Sequence, residues 1–206
     1  MIRSTAGKSV KRESFFAYAA GAIGILANLF LISFYALMAT HLELDDILGS
    51  ASDLVGSLAT AFMIPVALAL GERLPQRRAA RFTQAAGLTA MALLSIGGPL
   101  LVLGVVGFNV ETAISVAAWM VLSLWLFLIN RWLRLSDAPA YRVARLGEVL
   151  GAVVLVGYVF VGLGLLLPWM SWPQLVVFGV GGLPGFVGWL SIPVWFLLWG
   201  RHLRSS

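Results

Sequence analysis

The chain has no cysteine, two histidines and few charges. Without cysteine there is no disulfide, no thiolate metal site and no thiol nucleophile, although compartment is left open. The histidines, His41 and His202, fall at opposite sides of the pattern derived below and cannot jointly ligate a haem or a buried metal. There is no Gly-x-Ser-x-Gly elbow, no His-Glu-x-x-His pair and no phosphate-binding loop. A serine–histidine membrane protease is also excluded, since it would need a histidine inside the membrane. No cofactor and no metal are expected, and no residue is assigned a catalytic role. Charged residues make up only 11% of the 206 positions, against roughly 25% in a soluble domain.

What is present is apolar surface, at 60% hydrophobic residues. A soluble chain of this size leaves about a third of its surface exposed and could not hide so much of it. Lipid accepts it. Residues 14–42, 54–71, 82–110, 112–130 and 149–200 carry no Asp, Glu, Lys or Arg. A membrane helix needs roughly 20 apolar residues. Four of these runs hold one span each and the last holds two, divided at Leu167-Pro168-Trp169-Met170-Ser171-Trp172-Pro173-Gln174. The expected spans are about 15–39, 51–70, 82–108, 112–129, 147–167 and 174–199. The runs are too long and continuous for the alternating strands of a membrane barrel. The expected fold is all-α, a single transmembrane domain of six helices.

The first run begins after basic residues, as a signal peptide does. Its apolar stretch of about 25 residues is longer than the 7–15 of a signal core, so it reads as a retained span. All fourteen basic residues fall on one side of this six-span arrangement: in the N-terminal tail, around Arg73–Arg81, around Arg131–Arg145, and at Arg201 and Arg204. The opposite loops contain none. Positively charged loops stay in the cytoplasm, so both termini are expected there, in the cytoplasmic (inner) membrane. The same asymmetry explains the net charge of +5 without a nucleic-acid partner. The expected partner is the lipid bilayer, with a homo-oligomer or a membrane partner subunit as further options.

Two glycine- and proline-rich stretches interrupt the spans: Gly97-Gly98-Pro99 in the third and Gly179-Val180-Gly181-Gly182-Leu183-Pro184-Gly185 in the sixth. An inverted repeat, a common transporter design, would put such breaks at opposite depths. Both fall in the outer half, which argues against a repeat. A pocket between spans three and six, with Gly98 and Gly182 beside it, is one reading; a kink or close packing is the other. Gly147-xxx-Gly151, Gly181-xxx-Gly185 and the Ala20, Gly24, Asn28 series fit a compact bundle or a dimer equally.

Ionisable residues inside a span are functional candidates, because burying one costs at least ~2.5 kcal/mol. Asp53 is the foremost. It lies two turns deep if the helix starts near Ile47, or completes a Ser-x-x-Asp capping box if Ser50 is the N-cap. Asn28 lies mid-span and serves either as a bond between helices or as a pocket group. Tyr158, at similar depth, is a candidate donor to it, and Tyr35 shares its face. Asp53, Asn28, Tyr158, Gly98 and Gly182 are the candidate ligand-binding set. Glu148 is expected to pair with Arg145, and Glu111 to favour a helix start capped by Asn109. The loop His41-x-Glu43-x-Asp45-Asp46 is either solvated or able to attract a divalent cation. Trp169, Trp172, Trp132 and Trp199 are expected at the interfaces, with Trp119, Trp125 and Trp189 deeper.

Ser52-Asp53-Leu54-Val55-Gly56 through Pro65, and Gly185-Phe186-Val187-Gly188-Trp189 through Pro193-Val194-Trp195 to Gly200-Arg201, resemble stretches of uncharacterised bacterial multi-pass membrane proteins. The resemblance covers about a quarter of the chain and implies topology only. Three functions remain open: a protein that binds or moves a small solute, ion or lipid; a structural or accessory subunit; and a membrane enzyme using Asp53 and Glu148 on an apolar substrate. The charge asymmetry yields a direct test. Single cysteines placed beside Arg77 and Arg142 should resist a membrane-impermeant thiol reagent in whole cells; modification of either would reverse the orientation.

Overall fold

The computed structural model describes residues 3–38, 45–74, 77–136, 140–168 and 170–205. Among the described residues seven α-helices follow one another: α1 (Arg3–Met38), α2 (Asp45–Glu72), α3 (Arg78–Val102), α4 (Phe108–Ser136), α5 (Tyr141–Leu165), α6 (Trp172–Val177) and α7 (Leu183–Ser205). A π-helical turn, Phe178–Gly182, joins α6 to α7 into one continuous span. Six segments are long and apolar enough to cross a bilayer. In hydrocarbon every backbone N–H and C=O must be paired within the segment, and a helix does this. The chain is a polytopic membrane protein.

The helices form a closed ring. Each packs on its sequence neighbours, and α7 closes the circuit by packing on both α5 and α1. Leu29, Leu58, Leu93, Leu124, Val156 and Val194 are exposed on the outside, as lipid contact requires. Asn28 Nδ2 donates to Leu190 O at 3.1 Å, one turn before Pro193 in α7. A Cβ added at Gly24 would lie 2.8 Å from the Pro193 ring. The Ala20, Gly24, Asn28 face is therefore the α1 surface that receives α7. At the basic end, Ser14 Oγ donates to Gly200 O at 2.9 Å, so the two ends of the chain meet there.

The basic half of the ring is solid. Trp125, Trp195, Trp199, Phe196, Met91, Ile129 and Leu133 fill it with almost no exposure. Gln84 ties three helices together: its Nε2 donates to Ala67 O at 2.6 Å, and its Oε1 accepts from Trp125 Nε1 at 3.0 Å. Trp195 Nε1 donates to Val143 O at 3.0 Å. Trp199, expected at the inner interface, turns into the bundle there, at 0% exposure. It comes from a helix face turned inward, which its nearness to the chain end conceals. Trp132 packs partly buried against the same core.

Several expectations change. The third span does not break, since α3 runs through Pro99 to Val102. The glycine run of the sixth span widens into the π turn without unwinding. Gly147 and Gly151 face α4, and Gly181 and Gly185 face α5, so these small-residue faces are used within the chain. Glu148 pairs with Arg134 (2.5 Å) and Arg131 (3.8 Å) of α4; α4 extends past the expected span end to Ser136 and carries both arginines to it. His41, Glu43 and Trp169 lie outside the described residues, as do the side chains of Asp45 and Asp46.

The glycine contacts predict stability. A methyl group at Gly151 would strike the Phe127 backbone, whereas one at Gly162 meets nothing within 4 Å. Gly151→Ala should cost about 1–3 kcal/mol by overpacking. Gly162→Ala should leave the melting temperature in detergent unchanged or slightly raised. Equal melting of the two variants would contradict the packing described.

Candidate functional site

In the half of the ring remote from the basic residues, the axis is not filled. A cavity of about 360 Å³ occupies it, and residues of all six spans line it. Two helices supply most of its polar groups at matching helical spacing. From α2 come Ser52, Asp53, Gly56, Ser57 and Thr60; from α4 come Glu111, Thr112, Ser115, Val116 and Trp119. Positions i, i+1, i+4, i+5 and i+8 share one helix face. Each of these stripes brings one carboxylate.

Asp53 does not cap its helix. Because α2 starts at Asp45, Asp53 lies two turns inside it. Glu111 is in the first turn of α4, as expected, but Asn109 is not its cap. Helix α4 begins at Phe108, and Gly107 O accepts from the backbone N–H of both Val110 and Glu111. The Glu111 side chain turns into the cavity and accepts a 2.5 Å hydrogen bond from Ser115 Oγ. Both carboxyl-bearing residues line the same cavity.

The glycine pair of α3 sets this arrangement. A Cβ at Gly98 would lie 2.5 Å from both Asp53 O and Ser57 Oγ, so only glycine lets α2 approach so closely. The neighbouring Gly97 faces α4, its Cβ position 3.5 Å from Glu111 Oε1. On the other side of the ring, Gly157 of α5 and Gly185 of α7 touch backbone to backbone. That crossing lets Tyr158 and Phe186, next to the two glycines, flank the cavity.

An aromatic wall begins at the foot of the α4 stripe, with Trp119, and continues onto α5 and α7. Trp119 and Tyr158 lie parallel with ring centroids 6.1 Å apart. Trp189 meets Trp119 edge-on at 5.7 Å, and Phe186 stacks on Trp189 at 6.0 Å. Below, Met63, Leu122, Trp125, Leu126, Ile192 and Phe196 leave a void of only about 10 Å³, at the limit for one water. The chamber is therefore closed toward the basic end.

Most hydroxyls at the site are already bonded. Ser52 Oγ donates to Ala27 O (3.4 Å), Ser57 Oγ to Leu94 O (3.1 Å) and Thr60 Oγ1 to Gly56 O (2.9 Å). Among the described residues, nothing donates to the Asp53 carboxylate and the Tyr158 hydroxyl has no hydrogen-bond partner. No Lys, Arg or His among them lines the chamber, and no three His, Asp or Glu are grouped to hold a metal.

Of the five residues singled out from the sequence, Asp53, Tyr158, Gly98 and Gly182 line the chamber. Asn28 does not; its amide is spent on Leu190 O, so it binds helices together and receives no bond from Tyr158. Asp53 and Glu148 are not brought together, because Glu148 lies in the Arg131–Arg134 cluster at the far end. Reading Glu111 as a helix-start charge alone missed its place in the cavity. The signal was the Glu111-Thr112-Ser115 stripe on an apolar helix, continued by Trp119. Asn28→Ala should lower stability by about 1 kcal/mol, as loss of an interhelical bond does, without changing the reactivity of a cysteine placed at Thr112. A change in that reactivity would return Asn28 to the site.

No protein-family model matches the chain, and no curated protein or solved structure matches it, so its functional reading rests on the chemistry of this chamber.

Proposed function

We propose that this protein binds a small solute within the membrane, in the chamber on the ring axis, and admits it from the side away from the cytoplasm. One observation carries the reading: all six spans contribute to one cavity of about 360 Å³. Small-molecule sites are concave, largely apolar, furnished with a few convergent polar groups, and about 300–1,000 Å³ in volume. An empty space of this size in a bundle forfeits contacts that packing would supply. Here the packing is complete on one side of it and stops at an aromatic floor.

The closed lower half favours binding over free conduction. A pore would need a continuous path, and Trp125, Trp195 and Phe196 fill the axis below. Entry from the extracytoplasmic side follows from the positive-inside rule, applied to a chamber at the end opposite the arginines. Transport across the bilayer would require that aromatic plug to part. The small-residue faces that would motivate an accessory subunit are occupied by contacts within the ring.

The cysteine-free chain makes the test direct. Thr112→Cys and Gly182→Cys each place a thiol on the chamber wall, and at Gly182 an added Cβ meets nothing nearer than 3.8 Å. Both should react with a membrane-impermeant thiol reagent applied to whole cells. Met91→Cys, at a fully buried core position, should remain unreactive. Silence at both chamber positions in a folded protein would refute an accessible solute site.

A further inference from the structure

We infer that the solute is an organic cation: an ammonium group seated between Asp53 and Glu111, with its apolar body against the aromatic wall. The inference rests on the solute-binding reading above and adds the chemical class.

Charge is the first argument. Two carboxylates face one recess, and no basic side chain among the described residues lines it. Like charges repel strongly where the dielectric is low, and a buried charge without a partner is costly. Glu111 has one donor, Ser115 Oγ; Asp53 has none among the described residues. A cation supplies the missing partner to both. An anion would add to the repulsion.

The wall is the second argument. Trp119, Tyr158, Phe186 and Trp189 form a continuous aromatic surface in the same chamber, with Trp119 two turns along α4 from Glu111. Aromatic faces attract ammonium and quaternary ammonium groups, most strongly where water is excluded. A neutral polyol could donate to the same two carboxylates but would bring no charge to balance them, and no basic side chain among the described residues lining the chamber does so either.

Size is the third. Calcium takes six to eight oxygens at about 2.3–2.6 Å, a cage far tighter than a chamber of about 360 Å³ with two carboxylates. Among the described residues no third acidic or histidine ligand joins them. A zwitterionic lipid headgroup would bring its phosphate in beside its ammonium, against the same two carboxylates. The geometry therefore favours a free cation.

The experiment compares reaction rates at Thr112→Cys in whole cells. One reagent is trimethylammonium-ethyl methanethiosulfonate and the other sulfonatoethyl methanethiosulfonate, with Val105→Cys on an exposed loop as the reference for each. The cationic reagent should be favoured at Thr112 over the reference by at least about tenfold, the lower range of electrostatic focusing. Asp53→Asn combined with Glu111→Gln should return the ratio to the loop value. Tetraethylammonium chloride should slow the reaction at Thr112 and leave Val105 untouched; phosphocholine should do neither. A sulfonate reagent that reacts as readily at both positions would overturn the cation assignment while leaving a solute site intact. Protection by phosphocholine alone would overturn the free cation in favour of a zwitterionic headgroup. No reaction with either reagent would remove the solute site itself.

Discussion

Helix α7 is wedged between α5 and α1, and both contacts run through glycine. On one flank Gly157 and Gly185 meet backbone to backbone; on the other, Gly21 and Gly24 receive Pro193 and Leu197. Between helices in lipid there is no hydrophobic drive to associate, because the tails are as apolar as the side chains. Close approach of backbones, dispersion and a few hydrogen bonds must hold the ring instead. Asn28 to Leu190 O and Ser14 to Gly200 O supply two of those bonds, both between α1 and α7. If that closure failed, the cavity would lose part of its aromatic wall, since Phe186 and Trp189 both ride on α7.

The two halves of the ring use their side chains differently. Toward the basic end, large aromatic residues fill the interior, and Trp195 stacks on Trp199 one turn along the same helix at 6.0 Å. Toward the other end, the residues facing the axis are mostly small or hydroxylated: Gly56, Ser57, Gly98, Thr112, Ser115 and Gly182. Short side chains in both stripes leave room that large neighbours elsewhere would fill. The chamber is thus written into the choice of residue size along α2 and α4, and each of these stripes carries one carboxylate.

The spans were legible because charge is so scarce. Every uncharged run holds the body of a helix, and the Pro/Trp turn divided the last run where α5 and α6 are divided. What escaped were features that depend on helix rotation and on neighbours. Asp53 looked like a cap because Ser50 stands three residues before it, yet Asp45 and Asp46 had already started the helix. Arg145 was the nearest partner for Glu148 along the chain, but the ring sets α4 beside α5 and brings Arg134 closer. The serine–threonine stripe of α4 was present in the sequence. It carries meaning only beside the similar stripe of α2, and no local pattern places two helices two spans apart around one axis.

Polar capacity left over after folding is the most informative quantity in such a bundle. Most polar side chains inside the ring are committed: Gln84 to Ala67 and Trp125, Asn130 Nδ2 to Leu126 O, Gln174 Nε2 to Gly164 O. Among the described residues, Asn130 Oδ1 and Trp199 Nε1 are buried without partners, but both are sealed in the filled half. A buried unpaired group costs about 1–3 kcal/mol, and there it is a cost to stability with no ligand able to relieve it. Among the described residues, the uncommitted groups at the chamber include the Asp53 carboxylate, the remaining acceptor sites of Glu111 and the hydroxyls of Thr112 and Tyr158, and all of them line space that a ligand can enter. Among the described residues, free hydrogen-bonding capacity and free volume coincide at this chamber, and two carboxyl groups give it an excess of acceptors. A solute that donates and is positive satisfies it.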